Sequence, residues 1–194
     1  MGGTGDLGVA EFLRELAAPT PAPGAGGALS ATAAMAAALV EMTAQISAQR
    51  GGGDLSDERL AEMAKRASSL GTEVVSLGDA DAAAYGAVIE AMKRDRDDPG
   101  RRDAVASALS AAADPPLQLS ELSAELTELA AAVVSGGRDS VRGDAIAGVL
   151  LAEAATAGAA RLVAIDVDSP SDPRITDSEV YAARAAVARR LATT

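Results

Sequence analysis

A chain of 194 residues suits one domain with a real core; 48% of it is hydrophobic, yet it holds only one Phe, two Tyr and no Trp, so area must be buried by small side chains brought close together, which favours helix packed on helix over a β-sandwich. With no cysteine and no histidine, disulfides, thiolate nucleophiles and zinc sites of the His/Cys type are excluded, and proton transfer falls to Asp, Glu, Lys or Tyr. A net charge of −11 opposes nucleic acid and anionic membrane as partners.

In chain order, residues 1–7 show no basic segment followed by an apolar core, so no signal peptide and a cytoplasmic location are expected. Residues 8–17 form a short amphipathic helix with Val9, Phe12, Leu13 and Leu16 on one side. A Pro- and Gly-rich loop then leads into a second helix over about residues 26–48, which the glycines at 51–53 end. Ser56 is placed as the N-cap of the third and longest helix, with Leu55 and Leu60 as a hydrophobic staple and Asp57 and Glu58 in the first turn.

The apolar seam of that helix runs Leu60, Met63, Ala67, Leu70, Val74, Leu77, then Tyr85, Val88 and Met92 in steps of three and four. Asp81 fills the gap where the seam calls for an apolar residue, while Asp79 lies off the seam and faces water. A polar connection, 93–100, precedes a fourth helix over 101–113. Pro115-Pro116 separates it from a fifth over 119–134, which Gly136-Gly137 ends. The sixth, 140–163, is apolar nearly all round and is expected to be central and buried; a Pro-rich break precedes a last helix from about 177. The apolar stretches 28–40 and 145–160 are alanine-dominated and short of an uninterrupted span, so both read as core helices rather than membrane crossings. No strand pattern, repeat or interdomain linker stands out. The expectation is a single all-α domain over residues 1–194, compact and multihelical.

Several segments in order carry a resemblance. They are Pro19-Thr20-Pro21-Ala22-Pro23-Gly24-Ala25-Gly26-Gly27, Asp79-Ala80-Asp81-Ala82-Ala83-Ala84-Tyr85, Pro115-Pro116-Leu117, Gly143-Asp144-Ala145, and Leu150-Leu151-Ala152-Glu153-Ala154-Ala155. Over roughly residues 8–170 the chain resembles the folate cyclodeaminase/cyclohydrolase family. The resemblance implies an all-helical homodimer acting on one-carbon-substituted tetrahydrofolate as substrate, with no cofactor and no metal. The reaction is hydrolysis of the 5,10-methenyl form to the 10-formyl form or release of ammonia from the 5-formimino form, a chain of this size being more like the cyclohydrolase. Where the family loop reads Gly-Gly-Gly-Ser this one has Gly24-Ala25-Gly26-Gly27; a family basic stretch becomes Gln49-Arg50-Gly51-Gly52; and asparagines of the family correspond to Arg138, Ser140, Leu162 and Asp166.

Each candidate residue has a plain structural reading beside the functional one. Asp81 is either a general base whose pKa is raised by desolvation or a buried carboxylate satisfied by backbone amides or an arginine; the resemblance tips it to catalysis. Asp144, at the start of the sixth helix, is a first-turn acid complementing the helix dipole, or, as the resemblance implies, a group that orients water or holds the pteridine. Glu41 and Glu153, inside apolar helices, are either structural partners of arginines, the favoured reading, or part of a polar pocket. Gly24, Gly26 and Gly27 offer amide groups at a helix start or simply let helices touch; Tyr85 lies one turn beyond Asp81. Arg50, Arg138 and Arg142 could form a cationic rim for a polyglutamate tail or be solvated surface charges. Two other functions stay open: an enzyme on the same fold recruited to another cyclisation or hydrolysis, and a non-catalytic ligand-binding helical dimer.

Overall fold

The computed structural model describes residues 5, 7–51, 53–167 and 169–193; the rest of the N-terminal stretch read above lies outside them. Among the described residues there are helices and no strands: α1 Val9–Leu16, α2 Ala25–Arg50, α3 Asp57–Met92, α4 Arg101–Ala112, α5 Asp114–Gly136, a 3₁₀ turn Asp139–Val141, α6 Arg142–Asp166 and α7 Pro173–Thr193. The all-α expectation holds. Ser56 caps α3 by accepting the Arg59 N–H at 3.2 Å. Leu55 beside it packs on the core and donates its own N–H to Gly136 O at 3.0 Å. Ser56→Ala should therefore cost about 1 kcal/mol, the usual loss of a helix cap, read as a lower urea midpoint with unchanged slope.

Two helix starts fall earlier than the sequence suggested. Pro115 and Pro116 lie inside the first turn of α5, which begins at Asp114, because proline lacks only an N–H that the first turn leaves unpaired anyway. For the same reason α7 begins at Pro173, where Asp172 accepts the Arg174 N–H at 3.0 Å and also binds its guanidinium.

The core is built of alanine. Ala33, Ala36, Ala37, Ala44, Ala67, Ala124, Ala130, Ala152, Ala155 and Ala159 are fully buried around a few larger groups, Leu60, Leu70, Leu119 and Leu126. Several buried hydroxyls are satisfied within their own helices: Thr43 donates to Leu39 O at 2.8 Å, Ser47 to Thr43 O at 2.7 Å and Thr156 to Ala152 O at 2.9 Å.

Small residues also set the register. A Cβ on Gly158 would strike Leu29, and one on Gly148 would sit 3.1 Å from Val40, so α2 and α6 run antiparallel. A Cβ on Gly78 would sit 3.2 Å from Ser30, and one on Gly71 would lie equally close to Ala37, which makes α2 and α3 antiparallel too. The start of α2 thus meets the late part of α3 and the end of α6.

α6 contacts α2, α5 and α7, but it is not enclosed within one chain. Leu150 is 44% exposed and Ile165 75%, and on α2 Met35 is 54% exposed. α2 and α6 are long and apolar enough to cross a membrane by length and composition alone, yet each turns one face into the bundle. Ion pairs fasten the outer helices. Arg66 of α3 holds Glu125 of α5 at 2.7 Å and Glu73 at 3.1 Å, Arg184 of α7 holds Glu128 at 2.9 Å, and Arg189 reaches Glu153 at 3.4 Å, the arginine partner expected for that glutamate. Glu41 instead accepts from the amide of Gln45 at 3.0 Å.

Candidate active site

Where the start of α2, the late part of α3 and the end of α6 meet, the chain leaves an open cavity of about 200 Å³. Its lining includes Gly24 and Gly26 from the α2 entry, Asp81 and Tyr85 from α3, Ala112 at the end of α4, and Leu162 and Asp166 from α6. The seam of α3 explains the position of Asp81. Up to Val74 the seam is fully buried, and Val88 further along is buried as well, but between and beyond them the seam opens on one side. Tyr85 and Met92, expected in the seam, are accordingly each 49% exposed, and Asp81 is half-buried at the edge of the core.

Gly26 makes room for it. A Cβ at position 26 would overlap the Asp81 carboxyl group, so the carboxyl lies directly on the first turn of α2, where helical N–H groups lack intrahelical partners. Gly27 has the other role proposed for such glycines: its Cα is 3.6 Å from a Cβ built on Gly78, and it packs the two helices together. The loop glycines thus divide between site and packing.

Burial pushes the Asp81 carboxyl above the usual range. Asp166 is pushed up to about 6 by burial first and by the Asp81 charge second. Among the described residues neither carboxyl has a hydrogen bond or ion pair, and the cavity lining holds no Lys or Arg. A carboxyl whose pKa is raised on folding binds its proton more tightly in the native state, so its ionisation opposes folding as pH rises from 3.8 through about 6. Asp166→Asn should therefore unfold at higher urea than the parent at pH 8, and the difference should vanish near pH 3.8 and below.

Other candidates sit elsewhere in the chain. Asp144 is exposed in the first turn of α6, 22 residues and so about 33 Å along the helix from Asp166. Arg138 is at that same far end, where its guanidinium donates to Gly51 O at 2.9 Å and to Arg50 O at 3.3 Å, and its N–H to Ser47 Oγ at 3.0 Å; it closes the C-terminus of α2. Arg142 likewise donates to Val134 O at 3.2 Å, and Arg50 is exposed. Within the chain the structure joins Gly24, Gly26, Asp81 and Tyr85, and leaves Asp144, Arg50 and Arg138 apart from them. Asp166 had no catalytic role in the sequence reading, which ended the sixth helix at residue 163. The signal was there: an acid in the last turn of a helix opposes the dipole and needs a reason.

The model of the formiminotransferase-cyclodeaminase family matches residues 8–185. Relatives include the formimidoyltransferase-cyclodeaminase of Mus musculus, 34% identical over 125 residues, which are 62% of this chain and 23% of the mouse protein. The chain thus spans under a quarter of that relative's length. The methenyltetrahydrofolate cyclohydrolase of Methylorubrum extorquens is 28% identical over 172 residues, 87% of this chain and 83% of that protein. Among solved structures, formiminotetrahydrofolate cyclodeaminase from Thermotoga maritima shares the fold with a TM-score of 0.82 at 23% identity, over 96% of this chain and 93% of the other. A match across nearly the whole chain, on a fold whose helix register brings the glycine loop to the Asp81 helix, shows that the chain belongs to the formiminotransferase-cyclodeaminase family.

Proposed function

We propose that this protein hydrolyses 5,10-methenyltetrahydrofolate to 10-formyltetrahydrofolate. The observation that carries the reading is the Asp81 carboxyl, desolvated and unpaired among the described residues, seated on the start of α2 at the wall of a cavity without cations. The methenyl carbon belongs to an amidinium cation and is already electrophilic. The enzyme needs a base for the attacking water, and neither a metal nor a covalent nucleophile. Asp81 takes the water proton, and its charge favours the cationic substrate. Amide groups at Gly24 and Gly26 meet the carbonyl side of the ring, and Tyr85 borders it.

Cyclodeamination of 5-formiminotetrahydrofolate is the second reading. It is favoured by the second carboxyl in the same cavity, since expelling ammonia calls for a proton donor beside the acceptor. The deciding measurement offers purified protein each substrate in turn and follows the methenyl absorbance, with EDTA expected to leave the rate unchanged. Loss of absorbance from the methenyl substrate supports hydrolysis, its appearance from the formimino substrate supports cyclodeamination, and binding without turnover makes the protein a folate-binding dimer.

The reading includes a cytoplasmic homodimer. The open apolar groups Met35 and Met42 on α2 and Leu150 on α6 form the face that a second copy covers. The far-end groups Asp144, Arg50 and Arg138 act on substrate only where a partner brings them to the cavity. Light scattering at micromolar concentration should give twice the 19.2 kDa mass of the chain; a species of single mass overturns the dimer.

A further inference from the structure

We propose that Asp166 is a second catalytic residue, forming with Asp81 one proton-sharing carboxyl pair in which Asp81 accepts and Asp166 donates. This rests on the folate reading for its chemistry, though the pair itself does not. Asp166 closes α6 at the wall of the cavity that Asp81 enters from α3. The antiparallel packing of α2 against both helices fixes the two carboxyls at one site. Among the described residues the groups facing Asp166 offer it no cation: α3 presents Asp81 and Tyr85, the α2 entry Pro21, Ala22 and glycines, and α4 Ala112. Arg161, the nearest cation on α6 itself, is exposed and outside the cavity lining. Two carboxyls in such a place cannot both ionise freely, so the pair holds one proton into the range where an isolated Asp has lost it.

The pair completes the reaction. Water attacks the methenyl carbon, a C–O bond forms, and the water proton passes to Asp81, leaving a neutral hydroxyl adduct. The C–N5 bond then breaks as Asp166 gives its proton to N5, and Asp166 takes back the hydroxyl proton as the formyl C=O forms. Asp81 releases its proton to solvent, the one proton that hydrolysis of the cation yields.

Two measurements test this. The first follows the carboxyl carbons of ¹³C-aspartate-labelled protein by NMR across pH. In the parent one carboxyl should titrate near 6, and in Asp166→Asn that transition should be gone and the Asp81 midpoint, assigned through Asp81→Asn, should move down. An Asp81 midpoint that stays put, with no carboxyl titrating near 6, overturns the pair whether or not any substrate turns over. The second compares rates. Asp166→Asn, folded by circular dichroism, should lose at least about 10²-fold in kcat, the low end for a general acid, and should lose the alkaline limb of the parent profile, with Asp166→Glu regaining part of both. Parent-like rate and profile in Asp166→Asn overturn the donor role. If the parent itself turns over neither folate substrate, the proposed function fails, and the NMR titration still decides the pair.

Discussion

Asp81→Asn should lower kcat by about 10²- to 10⁴-fold, the range spanned by loss of a positioned general base, with KM little changed. The asparagine keeps the volume and one acceptor oxygen, so it still lies in the notch over Gly26, but it cannot take a proton from water. The fold should survive. Asp81 has no ion pair among the described residues, so the substitution orphans no partner. It also removes a carboxyl whose raised pKa makes its ionisation oppose folding as pH rises. The mutant should therefore be at least as resistant to urea as the parent at pH 8 while being nearly inactive. A folded Asp81→Asn protein turning over at the parent rate would make Asp81 a structural residue and leave the cavity without its base.

The helices were legible because their signals are local. Ser56 ahead of an acidic first turn fixed the start of α3, and Gly136-Gly137 fixed the end of α5. The prolines at 115–116 and 173 misplaced two starts because their effect depends on position: inside a helix they break it, in its first turn they cost nothing. Asp81 was legible as an interruption of a period. Its setting was not, because the seam argument treats every seam position of α3 as equally covered, whereas in its last third Val88 is buried and Tyr85 and Met92 are open.

Within one chain the cavity that holds Asp81 takes Asp166 and leaves Asp144 at the far end of α6, a direction that the sequence does not carry. Both acids lie on α6, at opposite ends, and only the antiparallel register of α2 and α6, written in contacts such as Gly158 with Leu29, says which end meets the glycine loop. The arginines at 50 and 138 follow from the same geometry. They stand where α2 ends, and Arg138 is spent on its carbonyls.

Gly26→Ala should reduce kcat by about 10²-fold, the scale of misplacing a catalytic group by around 1 Å, while the protein stays folded. Backbone conformation poses no obstacle, since among the described residues the only positive-φ glycine is Gly51. In a helix alanine is favoured over glycine by about 1 kcal/mol. What opposes the change is space: the new methyl would overlap the Asp81 carboxyl group, which must swing away from the start of α2 and out of line with the substrate. The two contributions separate in a cycle with Asp81→Ala. With the carboxyl gone the methyl at 26 has somewhere to go, so Gly26→Ala should then add stability by its helix propensity and change the residual rate little, a non-additivity expected only of groups in contact. Gly24→Ala is the control. It lies in the same loop and lines the same cavity, but alanine keeps the backbone N–H offered to the substrate and a Cβ there comes no nearer than 3.8 Å to its closest neighbour, the Pro21 carbonyl oxygen, so its loss should stay well below the roughly 10²-fold expected at Gly26. Equal losses at 24 and 26 would mean that the loop acts through its flexibility. A loss confined to 26 and abolished in the Asp81→Ala background would tie the glycine to the placement of the base.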